Sequence, residues 1–182
     1  MPCAGFARCD APLCGCVGAS AASSGMIRPA TVDDLPAMAD LIAAAITALC
    51  AADHHGQPKR MRPWIAANDG PALAARIADP AQRLLLCEDA GLACVGGLDW
   101  REQPAGRGRI SLLFVAPARQ GQGHARAMLA ALEADLRGLA RSDARLTATN
   151  TARGFYLSQG WRPDPAASGG ALLGHALVKK LG

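Results

Sequence analysis

The chain has 182 residues, of which 51% are hydrophobic and 4% aromatic, with a formal net charge of +4. That length suits one domain that buries roughly 70% of the surface its unfolded chain exposes, around a core of Leu, Ala, Val and Ile. No apolar run approaches the roughly 20 residues of a membrane span; the charge is too small and too scattered for a nucleic-acid surface, but it suits an anionic ligand.

Residues 1–25 stand apart. They hold Cys3, Cys9, Cys14 and Cys16 out of seven cysteines and end in the small-residue run Gly18 to Gly25. Arg8 and Asp10 interrupt any signal-like apolar stretch. The cysteines match no paired metal-ligand spacing, so the segment is expected to be a disordered extension. The odd cysteine count argues against a complete disulfide framework, and a reduced, cytoplasmic protein is expected.

From Met26 to residue 182 a single domain is expected, with alternating elements. Met26 to Pro29 reads as a strand. Thr31 to Asp34 offer capping residues, and Pro36 suits a first helical turn. Leu35, Met38, Ile42, Ala45 and Leu49 then recur at helical spacing. Asp53 to Pro63 is polar and reads as irregular, with Lys59-Arg60-Met61-Arg62 as a solvated basic cluster. Trp64 to Ala78 reads as helical, broken at Gly70-Pro71. Arg83 to Cys87 and Leu92 to Trp100 read as strands joined by a tight turn; Cys87 and Cys94 are expected to be buried thiols. After a turn at Gln103 to Gly108 comes a strand, Arg109 to Val115. The helix Ala125 to Leu139 carries Ala125, Met128, Leu129, Leu132, Leu136 and Leu139 on one face. A strand at Arg145 to Thr149, a helix at Thr151 to Gln159 stopped by Gly160, and a strand at Ala171 to Leu181 complete the chain. The pattern predicts an α/β (α+β) fold with a mixed, partly antiparallel central sheet flanked by helices.

The turn after Val115 carries the chemistry. A strand feeds a glycine-containing turn, which feeds a helix. Such a turn aims unpaired backbone N–H groups and the positive end of a helix dipole at one point, where a phosphate binds. A dinucleotide fingerprint would need a third glycine where Arg126 stands, and a Walker A loop would need Gly-Lys-Ser/Thr.

Val115-x-Pro117-x-x-Gln120-x-x-Gly123-x-Ala125 resembles the coenzyme-binding signature of the GNAT acetyltransferases. Thr149 to Trp161, with Ala152-Arg153-Gly154-Phe155-Tyr156 and Gly160-Trp161, resembles that family's later helix. Arg28-Pro29-Ala30-Thr31-x-Asp33-Asp34-Leu35 resembles its first strand and helix cap. The resemblance implies the acyl-CoA N-acyltransferase fold and acetyl-CoA as co-substrate. It implies that the backbone of Leu113, Phe114 and Val115 holds the pantetheine arm like an added strand. The backbone N–H groups of the turn, with Gln120, Gly121, Gln122, Gly123, His124, Ala125 and Arg126, would hold the pyrophosphate. Direct attack by a primary amine on the thioester is implied, without an acyl-enzyme, an N–H near Val115 stabilising the oxyanion.

Tyr156, the only tyrosine of the chain, is the candidate general acid to the leaving thiolate. Many family members have Asn seven residues before it; here Thr149 stands there, and Asn150, one place later, is the candidate coenzyme contact. Glu102 is the first candidate for the base, ahead of Asp99, His124 and the pair His54-His55; water-mediated deprotonation is the alternative. No metal site is expected. The partner expected is a small-molecule amine or peptide acceptor, with no nucleic acid and no membrane. Dimerisation, common in the family, is not legible. Two rival readings remain at this level: a non-catalytic acyl-CoA-binding sensor and, among enzymes, a protein N-terminal acetyltransferase.

Overall fold

The computed structural model describes residues 25–101, 106–166 and 174–182. The elements run β1 (Met26–Pro29), α1 (Leu35–Leu49), α2 (Ala51–His54), α3 (Pro58–Ala66), α4 (Gly70–Ala78), β2 (Gln82–Glu88), β3 (Leu92–Asp99), β4 (Arg107–Val115), α5 (His124–Gly138), β5 (Asp143–Ala148), α6 (Asn150–Ser158), β6 (Arg162–Pro163) and β7 (His175–Lys180). The strands form one seven-stranded sheet in the order β1-β2-β3-β4-β5-β7-β6. All neighbours are antiparallel except β4 and β5, so the expected mixed sheet with flanking helices is present.

Strand β2 shows how the sheet is buried on both faces. Leu84 and Leu86 join one core with Met38, Ile42, Ile46 and Leu73 of α1 and α4. Leu85 and Cys87 point the other way, into the core built with Met128, Leu129, Leu132 and Leu136 of α5. Successive side chains of a strand take opposite faces, so a strand covered on both sides reads as one unbroken apolar run. At Gly96 a β-carbon would lie 2.6 Å from the Met128 sulfur; glycine there lets α5 close onto the sheet.

Polar ties fix the ends. Asp34 accepts hydrogen bonds from the Thr31 N–H at 2.8 Å and the Thr31 hydroxyl at 2.9 Å, closing the entry to α1. The Arg28 guanidinium grips Asp34 at 2.8 Å and Glu88 at 2.9 Å, which joins β1, the helix entry and β2. On the far side, buried Glu133 of α5 accepts from the Trp161 indole N–H at 3.0 Å and from Lys179 Nζ at 2.8 Å. That cluster anchors α5 to β7 and to the chain leaving α6.

Most predicted elements stand within two residues of the expected bounds. The segment 53–63 does not: it holds the end of α2 and most of α3, because Pro58 sets a first turn and Lys59, Arg60, Met61 and Arg62 are good helix formers. Lys59, Arg60 and Arg62 are exposed, as expected of a solvated cluster. Gly70-Pro71 is a start as well as a break: Asp69 Oδ1 accepts the Ala72 N–H at 3.0 Å and opens α4. The short strand β6 is an addition. Residues 1–24, 102–105 and 167–173, including the expected extension, lie outside the described residues.

The feature that positions the site is the seam between β4 and β5. The two strands pair in register at Arg107 with Asp143, Gly108 with Ala144 and Arg109 with Arg145. Beyond Arg109 they part. Gly97 of β3 faces Leu112 while Leu98 faces Ile110, which leaves Ser111 as an extra residue in β4. An extra residue of this kind bends its strand, and here it coincides with the opening of the sheet.

Candidate active site

The splayed strands enclose a cleft of about 750 Å³. One wall is β4 from Ile110 to Val115, and the other is Leu146 to Ala148 with Thr149, Thr151, Ala152, Phe155 and Tyr156. The Ala116 N–H bonds to Ala93 O at 2.9 Å, toward β3. Alternation along the strand therefore turns the N–H groups of Val115 and Leu113 to the open side.

At the mouth stands the glycine turn. Gly121 and Gly123 have φ of +73° and +89°, a region costly for residues with a β-carbon. Gly123 caps α5, and the first helical bond runs from the Ala127 N–H to Gly123 O at 3.0 Å. The N–H groups of His124, Ala125 and Arg126 precede that bond and stay available at the positive helix end. Gln120, Gly121, Gly123, Ala125 and Arg126 line the cleft, whereas Gln122 is exposed outside the lining and donates to Ala118 O at 3.3 Å.

His124 departs from expectation. A base has to reach the cleft, yet the His124 side chain is 1% exposed. Nδ1 lies 3.7 Å from the Cys87 sulfur, and Nε2 lies 3.5 Å from Asp89. The imidazole packs under the turn and supports it from behind, so only its N–H faces the mouth.

Tyr156 is 7% exposed. Its ring meets Phe155 and Trp161 edge-on at centroid distances of 5.2 and 6.0 Å. The hydroxyl has no hydrogen-bond partner among the described residues, although the residue lines the cleft. Burial, and secondarily the Cys94 thiol, push the phenol above its usual range, which keeps it protonated at neutral pH.

The approach to Tyr156 is built by a residue that the sequence did not single out. Asp53 of α2, 7% exposed, accepts from the Asn150 N–H, from Asn150 Nδ2 at 3.0 Å and from the Thr151 hydroxyl at 3.1 Å. A carboxylate at a helix N-terminus satisfies the free donors there and complements the dipole. Asp53 thus fixes α6, and α6 carries Tyr156. Asn150, the candidate coenzyme contact, is engaged elsewhere. Its amide is held by Asp53 and by His175 Nε2 at 2.9 Å, outside the cleft lining. Thr149 caps α6 by accepting the Ala152 N–H at 3.1 Å.

The base candidates do not assemble. The Asp99 carboxylate is taken up by Arg101, through its N–H at 2.9 Å and its guanidinium at 3.3 Å, and does not line the cleft. His54 is buried: the Gly56 N–H donates to Nδ1, so Nε2 carries the proton and donates to Ile46 O at 3.0 Å. His55 is exposed, and Glu102 lies outside the described residues. Among the described lining residues there is no Asp or Glu. The lining does hold Cys50, whose thiol burial pushes up to about 11, leaving roughly one thiolate in ten thousand at neutral pH. Cys50 is therefore a poor nucleophile.

A strand splayed beside a glycine turn with free backbone N–H groups, with Tyr156 on the lining, agrees with the comparisons to known proteins. The sequence profile of the acetyltransferase (GNAT) domain matches residues 51–169. The chain belongs to the GNAT acetyltransferase family.

Solved GNAT structures share the fold. A GCN5-related N-acetyltransferase from Rhodopseudomonas palustris superposes with a TM-score of 0.71 at 21% identity, over 87% of this chain and 96% of that one. The PaiA N-acetyltransferase of Thermoplasma acidophilum, solved in complex with coenzyme A, gives 0.70 at 16% identity, over 85% and 98%. In sequence, an aminoglycoside 2'-N-acetyltransferase of Mycolicibacterium fortuitum is 39% identical over 82 residues. That match spans 45% of this GNAT chain and only 35% of the relative.

Proposed function

We propose that this GNAT protein transfers an acetyl group from acetyl-CoA to the primary amine of a small molecule. The observation that carries the reading is the seam: β4 parts from β5 between a glycine turn with free N–H groups and Tyr156, whose hydroxyl has no partner among the described residues. An extended thiol-bearing arm fits the splay by pairing with the backbone of Leu113 and Phe114, which leaves the Val115 N–H for the reacting carbonyl. Its pyrophosphate meets the free N–H groups of Gly123 to Arg126.

The amine nitrogen attacks the thioester carbonyl, and a C–N bond forms. The oxygen gains negative charge, which the Val115 N–H stabilises. The carbonyl reforms as the C–S bond breaks, and the thiolate takes the Tyr156 proton. The amine's surplus proton leaves through water, and the phenolate recovers a proton from solvent. The cleft's described lining offers no carboxylate, which favours water over a dedicated base. Cys50, held as a thiol, offers no covalent route. The aminoglycoside acetyltransferase relative supports a small amine over a protein N-terminus as acceptor.

The test is calorimetric titration with acetyl-CoA, followed by thiol release over a panel of amines. Saturable binding with amine-dependent thiol release is expected. Binding without turnover on every amine would leave a sensor, and failure to bind would remove the reading altogether.

A further inference from the structure

The cleft wall supplied by α3, α4 and the residues between them has a chemistry that the acetyl donor does not use. Arg76 of α4 reaches this wall half-buried. Its guanidinium makes one long hydrogen bond, to Ala67 O at 3.5 Å, and has no ion pair among the described residues. Arg28, Arg83, Arg101 and Arg137, by contrast, each sit against a carboxylate. Burial and then nearby Arg109 press on the Arg76 charge, and Asp99 offsets this only in part. Beside it Asn68 is 5% exposed. The Asn68 amide donates to Trp64 O at 2.9 Å, while its Oδ1 has no donor. A buried acceptor without a donor is costly; Asn68 Oδ1, with a cation that has no ion pair on the same cleft wall, marks where a ligand completes the set. Trp64 and Phe114, 6.4 Å apart, supply an apolar surface on the same cleft.

We infer that the acceptor is an amine that also carries a carboxylate, as an α-amino acid does. Arg76 pairs with the carboxylate, Asn68 Oδ1 takes an N–H, and the Trp64–Phe114 surface receives the side chain. A guanidinium suits a carboxylate because its donors match both oxygens. A polycationic acceptor would meet Arg76 as a like charge, without a carboxylate in the described lining to offset it. The inference rests on the cleft being an acetyl-transfer site.

The experiment compares L-leucine, L-methionine and L-phenylalanine with their amides, alongside an aminoglycoside, at fixed acetyl-CoA. Amides have the less basic, more readily deprotonated amine, so a preference for the acids has to come from the protein. A kcat/KM at least tenfold higher for the acids is expected. Arg76→Gln should shrink that preference below threefold by raising KM for the acids more than for the amides, and Arg76→Lys should restore part of it. Equal or reversed preference, a faster aminoglycoside, or equal damage to acids and amides in Arg76→Gln would overturn the inference. Calorimetric binding to the protein saturated with coenzyme A reads the same discrimination without turnover. Tighter binding of the acid supports the inference even if no transfer follows, a result that would count against transfer alone. Equal binding, or none, overturns it.

Discussion

Replacing Tyr156 by phenylalanine separates folding from chemistry at one atom. The ring contacts at 5.2 Å to Phe155 and 6.0 Å to Trp161 are kept. The atom removed is a hydroxyl in a 7%-exposed residue with no protein partner among the described residues. Tyr156 lines the cleft, where water can meet its hydroxyl, so Tyr156→Phe should be about as stable as the parent. Turnover should move the other way. General acids contribute about 10²–10⁴ in rate. Burial makes this phenol a weaker acid than usual, and water can reach the thiolate through the open cleft, so the low end applies. A fall in kcat of about 100-fold, or about 2.7 kcal/mol of activation free energy, is expected. Calorimetric affinity for acetyl-CoA should be unchanged. The assay is thiol release from pH 6 to 9 on both proteins, with thermal melts alongside. A kcat within twofold of the parent across that range would refute the acid role. A melt lowered by more than about 10 °C would refute the partnerless hydroxyl.

Four further outcomes follow from the same geometry. Gly123→Ala forces a side chain into φ of +89° at the cap of α5, at about 1–2 kcal/mol; acetyl-CoA affinity should fall at least tenfold by calorimetry. Cys50→Ser should keep most activity, and no acetylated protein should appear by intact-mass spectrometry, because the Cys50 thiol is pushed up to about 11. Glu133→Gln strands Lys179, 23% exposed, beside a group that no longer carries charge; denaturant titration should show a loss of about 2–4 kcal/mol, largely recovered by adding Lys179→Met. The Arg28 guanidinium holds the Asp34 carboxyl well below the usual range. A carboxyl lowered on folding stabilises above its unfolded pKa of about 3.9 and loses that contribution as pH falls through its folded value. The melting difference between the parent and Asp34→Asn should therefore be full at pH 7 and shrink between pH 5 and pH 2.

The fold was legible because its cues are local. Leu84 to Cys87 declare a strand covered on both faces, the α5 heptad-like spacing declares one buried stripe, and Gly121 and Gly123 mark a backbone that a β-carbon would strain. The Tyr156 motif was readable on the same terms. What the sequence hid are pairings between distant positions. Asp53 sits 97 residues from Asn150 in the chain, and nothing local announces that it caps α6; without it Asn150 looked free to reach a coenzyme. His124 looked available because a turn is exposed on average, whereas Cys87 and Asp89, supplied by β2 and the turn after it, draw its ring inward. Arg76 lies in a helix and Asn68 in the turn before it, and a period that explains burial says nothing about a carboxylate withheld. The helices of 53–63 were missed because polar composition was taken as irregularity, although the propensities of Lys59 to Arg62 favour a helix once Pro58 sets its first turn.

The three-position seam has a consequence for handling the protein. Past Arg109, β4 presents an inner edge to the cleft, and so does β5 past Arg145. Unpaired strand edges are templates for other chains. The outer strands, β1 of four residues and β6 of two, are short by comparison with the six residues of β4 from Ile110 to Val115. Association of the ligand-free protein would therefore begin in the middle of its sheet. Coenzyme A should act as a solubiliser at concentrations near its Kd, by filling the gap through which one molecule could stitch itself to the next; light scattering on concentrated samples, with and without it, reads this directly.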